Sequence, residues 1–154
     1  MSLKEEVLSY CNSLGLTNIG FIKCREFNEL EDFYENRKKL NVQNEFEEED
    51  IQKRINPNHY MEEGKTIISI AFPYLHDQEH FDNGFSLYTR GNDYHRVLKD
   101  YLDKICEFII LRGGKAISFV DSNTLPERYI AYLAKVGFIG KNNMIITEKY
   151  GSYV

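Results

Sequence analysis

Residues 93–120 read DYHRVLKDYLDKICEFIILRGGKAISFV, and two periodicities meet inside that stretch. Val97, Leu98, Tyr101, Leu102, Ile105, Phe108 and Ile109 fall on one face at 3.6 residues per turn, so the spacing predicts a helix from Asp93 to Arg112. Gly113-Gly114 ends the pattern, because glycine adopts the left-handed backbone that closes a helix at little cost. Ala116 to Val120 then reads as a short apolar strand. A helix feeding a strand in this way places the chain among the folds that mix both elements.

The same reading extends in both directions. Upstream, Thr66 to Phe72 is an apolar, β-branched run stopped by Pro73, which predicts a buried strand with Ser86-Leu87-Tyr88 and Ala116 to Val120 as sheet neighbours. His76 to Gly84 reads as a polar loop. Leu3, Val7, Leu8, Cys11 and Leu14 predict a first helix ended by Gly15, with a strand over Asn18 to Ile22 after it. Phe27, Leu30, Phe33 and Tyr34 suggest one face of a second helix, and the acids of Glu45 to Asp50 read as a solvated stretch. Downstream, Thr124-Leu125-Pro126-Glu127 offers a capping threonine, an early proline and a glutamate three residues past the cap, predicting a helix from Leu125 to Lys135. A strand-like stretch from Met144 to Thr147 follows. The expected fold class is α/β, drawn more narrowly as an α+β sandwich around a mixed sheet, in one domain over residues 1–154.

Composition narrows the function classes. With 42% hydrophobic residues in 154, one sizeable core is expected, and no apolar run approaches the roughly 20 residues of a membrane span. Met1 to Glu6 lacks the apolar core of a secretory signal. Cys11, Cys24 and Cys106 are odd in number and far apart, which suits free thiols in a reducing, cytoplasmic setting and no metal or cluster site of their own. The net charge of −5 gives no general attraction to a phosphate backbone, so a nucleic-acid substrate would need a basic surface from elsewhere.

Among possible sites, Gly113, Gly114, Gly137 and Gly140 fit neither the dinucleotide fingerprint nor the phosphate loop of ATPases. His76-Asp77-Gln78-Glu79-His80 has the histidine spacing of a zinc protease but aspartate in place of the general-base glutamate. Asp121 stands after a predicted strand and just before a predicted helix, where open α/β sheets place ligands. A turn or capping aspartate explains that position equally well. To act as an acid, Asp121 would need desolvation under a bulky cofactor to raise its pKa. Gly137-Phe138-Ile139-Gly140-Lys141-Asn142 reads either as a close backbone approach to a ligand or as a plain helix-to-strand turn. In Tyr88-Thr89-Arg90-Gly91-Asn92-Asp93-Tyr94-His95, Asp93 can simply cap the helix and a lone His95 is usually no ligand.

Taken in order, these segments resemble the N-terminal domain of epoxyqueuosine reductases. That family carries a Tyr-Ala-x-Gly-x-Asp-Tyr-His segment, a long helix, Val-Asp-[Ser/Thr], a Gly-Lys-Asn stretch and an aromatic Gly-Ser motif. Here they stand as Tyr88 to His95, Val120-Asp121-Ser122, Gly137 to Asn142 and Tyr150-Gly151-Ser152-Tyr153. Gln52-Lys53-Arg54-Ile55-Asn56-Pro57 resembles the family's Lys-Arg-x-x-Pro. Thr89, Thr124 and Phe138 depart from the usual residues without removing a charged group.

The resemblance implies a cobalamin cradle in a tRNA-modifying oxidoreductase that converts epoxyqueuosine to queuosine, with Asp121 as proton donor. It carries cofactor contacts onto Arg54, Ser86, Tyr88, Asp121, Lys141, Asn142 and Ile145. It also implies two [4Fe–4S] clusters in a ferredoxin-like part beyond Val154, an unidentified electron donor, and no turnover by these 154 residues alone. A related corrinoid iron–sulfur reductase with another substrate, or a non-catalytic corrinoid-binding module, would share the same cradle motifs.

Overall fold

The computed structural model describes residues 2–74 and 84–154; the His76–His80 motif and most of the expected 76–84 loop lie outside them. Helix α1 (Leu3–Ser13) opens on a reciprocal cap, in which Glu5 N–H donates to Ser2 Oγ at 3.4 Å and Ser2 N–H donates to Glu5 Oε2 at 2.7 Å. It ends as expected at Gly15, whose φ is +82°. Strand β1 (Ile19–Lys23) pairs antiparallel with β2 (Thr66–Ile70) in a register that sets Phe21 opposite Ile68 and Ile22 opposite Ile67.

Successive strand residues point to opposite faces, and each face has its own cover. Ile19, Phe21, Ile68 and Ile70 pack on a cluster of Val7, Cys11, Leu16 and Ile105, supplied largely by α1 and the long helix α4 (Tyr94–Ile110). Tyr10 and Phe108 stack between those helices at 4.1 Å. On the other face Ile22 and Ile67 meet a cluster of Phe27, Tyr34, Ile55 and Ile130. These come from the segment after β1, from α2 (Glu31–Lys39), α3 (Ile51–Ile55) and α5 (Glu127–Leu133). Phe27 and Ile55 are fully buried, worth about 2–3 kcal/mol each in apolar transfer.

Gly20 lets α5 sit against β1. A Cβ there would lie 2.0 Å from the Ala134 carbonyl oxygen, so only a residue without a side chain allows the strand and the helix end to touch. Ala131, Ala134 and Val136 complete a third cluster with Ile22, Ala71 and Ile145. Beyond α5, β3 (Phe138–Ile139) and β4 (Ile145–Ile146) form a short antiparallel hairpin.

Helices therefore flank a sheet, but the expected mixed sheet is replaced among the described residues by two separate two-stranded antiparallel sheets. Ser86 to Tyr88 is no strand: Thr89 N–H and Oγ1 both donate to the Ser86 carbonyl, closing a 3-10 turn over Leu87–Arg90. Ala116 to Phe119 has no regular ladder, and Phe119 packs on Tyr60 at 4.6 Å instead. The run in β2 is half-buried rather than buried. In α2, Tyr34 is buried while its neighbour Phe33 is 56% exposed, since adjacent helix positions cannot share one face. No described helix is long and apolar enough to cross a membrane.

Candidate functional site

Asp93 caps α4, its Oδ1 accepting His95 N–H at 3.0 Å. The same oxygen meets His95 Nδ1 at 3.0 Å, and that hydrogen bond, ahead of the backbone one, holds the Asp93 carboxyl below its usual range. The next residue of the helix reaches across to the loop before α5: Tyr94 O–H donates to Asp121 Oδ2 at 2.7 Å. This bond is the main reason the Tyr94 phenol is pushed up to about 12, because ionising it would place two negative oxygens together. His95 Nε2 stands 4.0 Å from that Asp121 oxygen, and the His95 ring stacks on Tyr94 at 4.0 Å.

Asp121 follows an irregular segment instead of the expected strand, with φ at +52°. Aspartate tolerates this left-handed conformation better than most residues, and non-glycine residues held there concentrate at functional sites. Its side chain is 56% exposed. The loop behind it is fastened. Thr124 Oγ–H donates to the Lys53 carbonyl at 2.7 Å, Thr124 N–H donates to Tyr60 Oη at 2.8 Å, and Asn123 Oδ1 accepts Leu125 N–H at 2.8 Å. Asn123 Nδ2 also donates to Glu127. Thr124 thus leaves its expected capping role for a tertiary bond, and α5 begins two residues later than predicted.

Aromatic rings connect the separated motifs. Tyr88, 47% exposed, meets Tyr94 edge-on at 5.8 Å and Tyr74 at 6.1 Å, and Tyr74 meets Tyr153 at 5.8 Å. The Gly-Ser segment is held to Tyr74, whose N–H donates to the Tyr153 carbonyl at 3.1 Å. Tyr88, Asp93, Tyr94, His95, Asp121 and Tyr153 therefore form one neighbourhood, although the sequence scatters them.

The remaining candidates stand apart from the Asp121 carboxyl. Arg54 donates to Glu47 at 2.9 Å and lies 3.9 Å over the Tyr34 ring. Burial works against a charge on Glu47, yet donation from Arg37 and Arg54 holds its carboxyl below the usual range, so one acid of the expected solvated run is structural. Glu47, Arg54, Asn123 and Thr124 help line a hollow of about 580 Å³ beside the Asp121 loop. Ser86 is exposed, its carbonyl committed to Thr89. Lys141 and Asn142 are exposed at the β3–β4 turn, where Asn142 Oδ1 accepts Met144 N–H at 3.2 Å. Ile145 packs inward against the α5 cluster. Arg128 on α5 donates to the Asn143 carbonyl at 2.9 Å, tying this turn to the helix that follows Asp121.

Residue-by-residue reading did not connect Tyr94 and His95 with Asp121. Their signal was the Asp-Tyr-His run at a helix start, but nothing local showed that it faces Asp121. Among the described residues no group of three or more histidine, cysteine or acidic side chains is arranged to hold a metal ion.

A family model described as Epoxyqueuosine reductase QueG, DUF1730, matches residues 54–122, opening on Arg54 and closing just after Asp121. An epoxyqueuosine reductase of Bacillus anthracis is 36% identical over 162 residues, covering 99% of this chain and 43% of the relative. A crystal structure of epoxyqueuosine reductase with an epoxyqueuosine-modified tRNA-Tyr stem loop superposes with a TM-score of 0.82 at 34% identity, covering 98% of this chain and 43% of that one. A Bacillus subtilis epoxyqueuosine reductase, in which a catalytic aspartate loop is swung out of the active site, superposes at 0.78 with 33% identity, covering 98% and 42%. The chain spans less than half the length of these relatives.

Proposed function

Because this chain is homologous to epoxyqueuosine reductases along nearly its whole length, we propose that it forms the N-terminal, cobalamin-binding part of an enzyme that reduces epoxyqueuosine to queuosine in tRNA. Asp121 is the proton donor in this reading. The observation that carries it is the placement of Asp121: a left-handed aspartate, oriented by Tyr94, where the segments 88–95, 120–122 and 150–153 meet.

The side chains suit a corrin ring, which needs apolar surface for its faces and polar groups for its amide rim. Tyr88, Phe138, Ile139 and Met144 all leave apolar surface exposed, and Lys141 and Asn142 project beside the last three. Ile145 would contribute its backbone, since its side chain is committed inward. Arg54 would act as a fixed cation, already paired and stacked. Bound cobalamin would supply reducing electrons, replenished by two [4Fe–4S] clusters held outside these residues.

The chain's own contribution is protonation. Tyr94 fixes one Asp121 oxygen by its hydrogen bond, which leaves Oδ1 free to face a substrate oxygen. The Asp121 side chain is 56% exposed in this chain, so the cofactor and the RNA would have to exclude water from it. A positioned general acid contributes roughly 10²–10⁴-fold in rate.

The test uses the full-length protein with cobalamin, a chemical reductant and an epoxyqueuosine-containing tRNA stem loop. Mass spectrometry of the digested RNA should show the modified base losing one oxygen atom. Substrate recovered unchanged from protein with bound cobalamin would reject this function.

A further inference from the structure

The proposed reaction needs two protons, and Asp121 holds one at a time. An epoxide oxygen that leaves as water forms two O–H bonds: one as the first C–O bond breaks and leaves a hydroxyl, another as that hydroxyl departs. The donor must therefore be reloaded before the oxygen is gone. Tyr94 is a poor source, because its phenol is held near 12 by the very bond that orients Asp121. Burial pushes the Glu127 carboxyl up, but its hydrogen bond is with Asn123 and not with Asp121. Tyr88 meets the site through its ring edge against Tyr94.

His95 is placed differently. Asp93 Oδ1 lies 3.0 Å from Nδ1 and favours the tautomer in which that nitrogen carries hydrogen. Nε2 is then the nitrogen left to gain and lose a proton, and it is the nitrogen 4.0 Å from Asp121 Oδ2. Closing that gap to a hydrogen bond takes a shift of about 1 Å, small for a ring on an exposed first helical turn.

We infer that the Asp93–His95 pair delivers the second proton to Asp121, an inference that rests on reading Asp121 as the donor. In the step, the His95 Nε2–H bond breaks as the Asp121 Oδ2–H bond forms, and a half-turn of the carboxyl group about Cβ–Cγ then carries that proton to the substrate side while the other oxygen takes over the Tyr94 hydrogen bond. The neutral imidazole keeps its Nδ1–H on Asp93 and then takes a proton from hydronium at Nε2. Nothing is oxidised or reduced. His95 is on this account a positioning and relay residue that acts through Asp121.

The test pairs kinetics with a spectroscopic readout. In the full-length protein His95→Ala should lower kcat about tenfold or more while KM for the tRNA stem loop stays within about twofold, and added imidazole should restore part of kcat. Asp93→Asn keeps a capping side chain and should lower kcat in the same direction. In the 154-residue chain, ¹⁵N spectra of the His95 ring should show Nδ1 protonated in the neutral form, a preference that Asp93→Asn weakens. A His95→Ala enzyme with unchanged kcat, a loss that imidazole leaves untouched, or hydrogen on Nε2 in the neutral ring would each overturn the relay. If Asp121→Asn abolishes turnover while His95→Ala does not, only the relay fails. If neither variant changes the rate, the donor role of Asp121 fails with it.

Discussion

Replacing Gly20 by alanine puts a methyl carbon 2.0 Å from the Ala134 carbonyl oxygen and 2.8 Å from the Ala134 Cβ. Ordinary carbon–oxygen contact needs about 3.3 Å, so β1 and α5 must separate by roughly 1 Å, and the obstructing atoms are backbone that no rotamer change can move aside. That separation also opens the cluster of Ala131, Ala134 and Val136. Overpacking typically costs about 1–3 kcal/mol, and a clash between two backbones belongs at the top of that range. For a chain of this size about 3 kcal/mol lowers Tm by roughly 6–12 °C. Gly15→Ala is the control: Gly15 has φ +82° but nothing within 4 Å, so its cost is conformational, about 1 kcal/mol. Urea titrations followed by far-UV circular dichroism compare the two. Should Gly20→Ala lose no more stability than Gly15→Ala, the packing of α5 on β1 described above is wrong, and with it the support for the Asp121 loop.

In a spectrophotometric titration Tyr94 should ionise near 12, and Asp121→Asn should bring it down toward the ordinary 10, because the charged acceptor is gone. Glu29 accepts from Arg25 at 2.7 Å and from Tyr129 at 2.8 Å, and the Arg25 bond is the main reason its carboxyl sits at about 2 against an ordinary 4.5. The stability it adds is complete above pH 4.5 and lost as pH falls toward 2. Since both ions are more than a third exposed, screening limits the amount to about 1 kcal/mol or less, and the difference in urea midpoint between wild type and Glu29→Gln should close across that window. Phe27→Ala removes a fully buried ring that Tyr129 meets edge-on at 5.9 Å, and should cost about 3–5 kcal/mol by the same unfolding assay.

How much of this was legible depended on whether the deciding contact was local. Helix α4, the Gly15 stop and the two central strands followed from periodicity and from glycine's backbone freedom, both set within a few residues. The mixed sheet did not, because a β-rich run such as Ala116 to Val120 becomes a strand only when a partner offers a ladder. Thr124 carried a capping pattern, yet a carbonyl 71 residues away on Lys53 took its hydroxyl. For the candidate site, Asp121 was legible as a carboxyl before a helix. Its partner Tyr94 was not, since it stands 27 positions earlier with most of α4 in between. Arg54 read as a cofactor contact, and its pairing with Glu47 and stacking on Tyr34 appear only in three dimensions.

The most direct measurement is single-turnover reduction of an epoxyqueuosine stem loop by full-length Asp121→Asn beside wild type, with cob(II)alamin binding followed in the same samples by absorbance. Asparagine keeps the left-handed backbone and an acceptor for Tyr94 but carries no acidic proton. The expected result is cofactor affinity within about threefold of wild type and a rate lower by roughly 10²-fold or more. A variant that binds cobalamin and reduces the base at the wild-type rate would contradict the claim that this carboxyl supplies the proton.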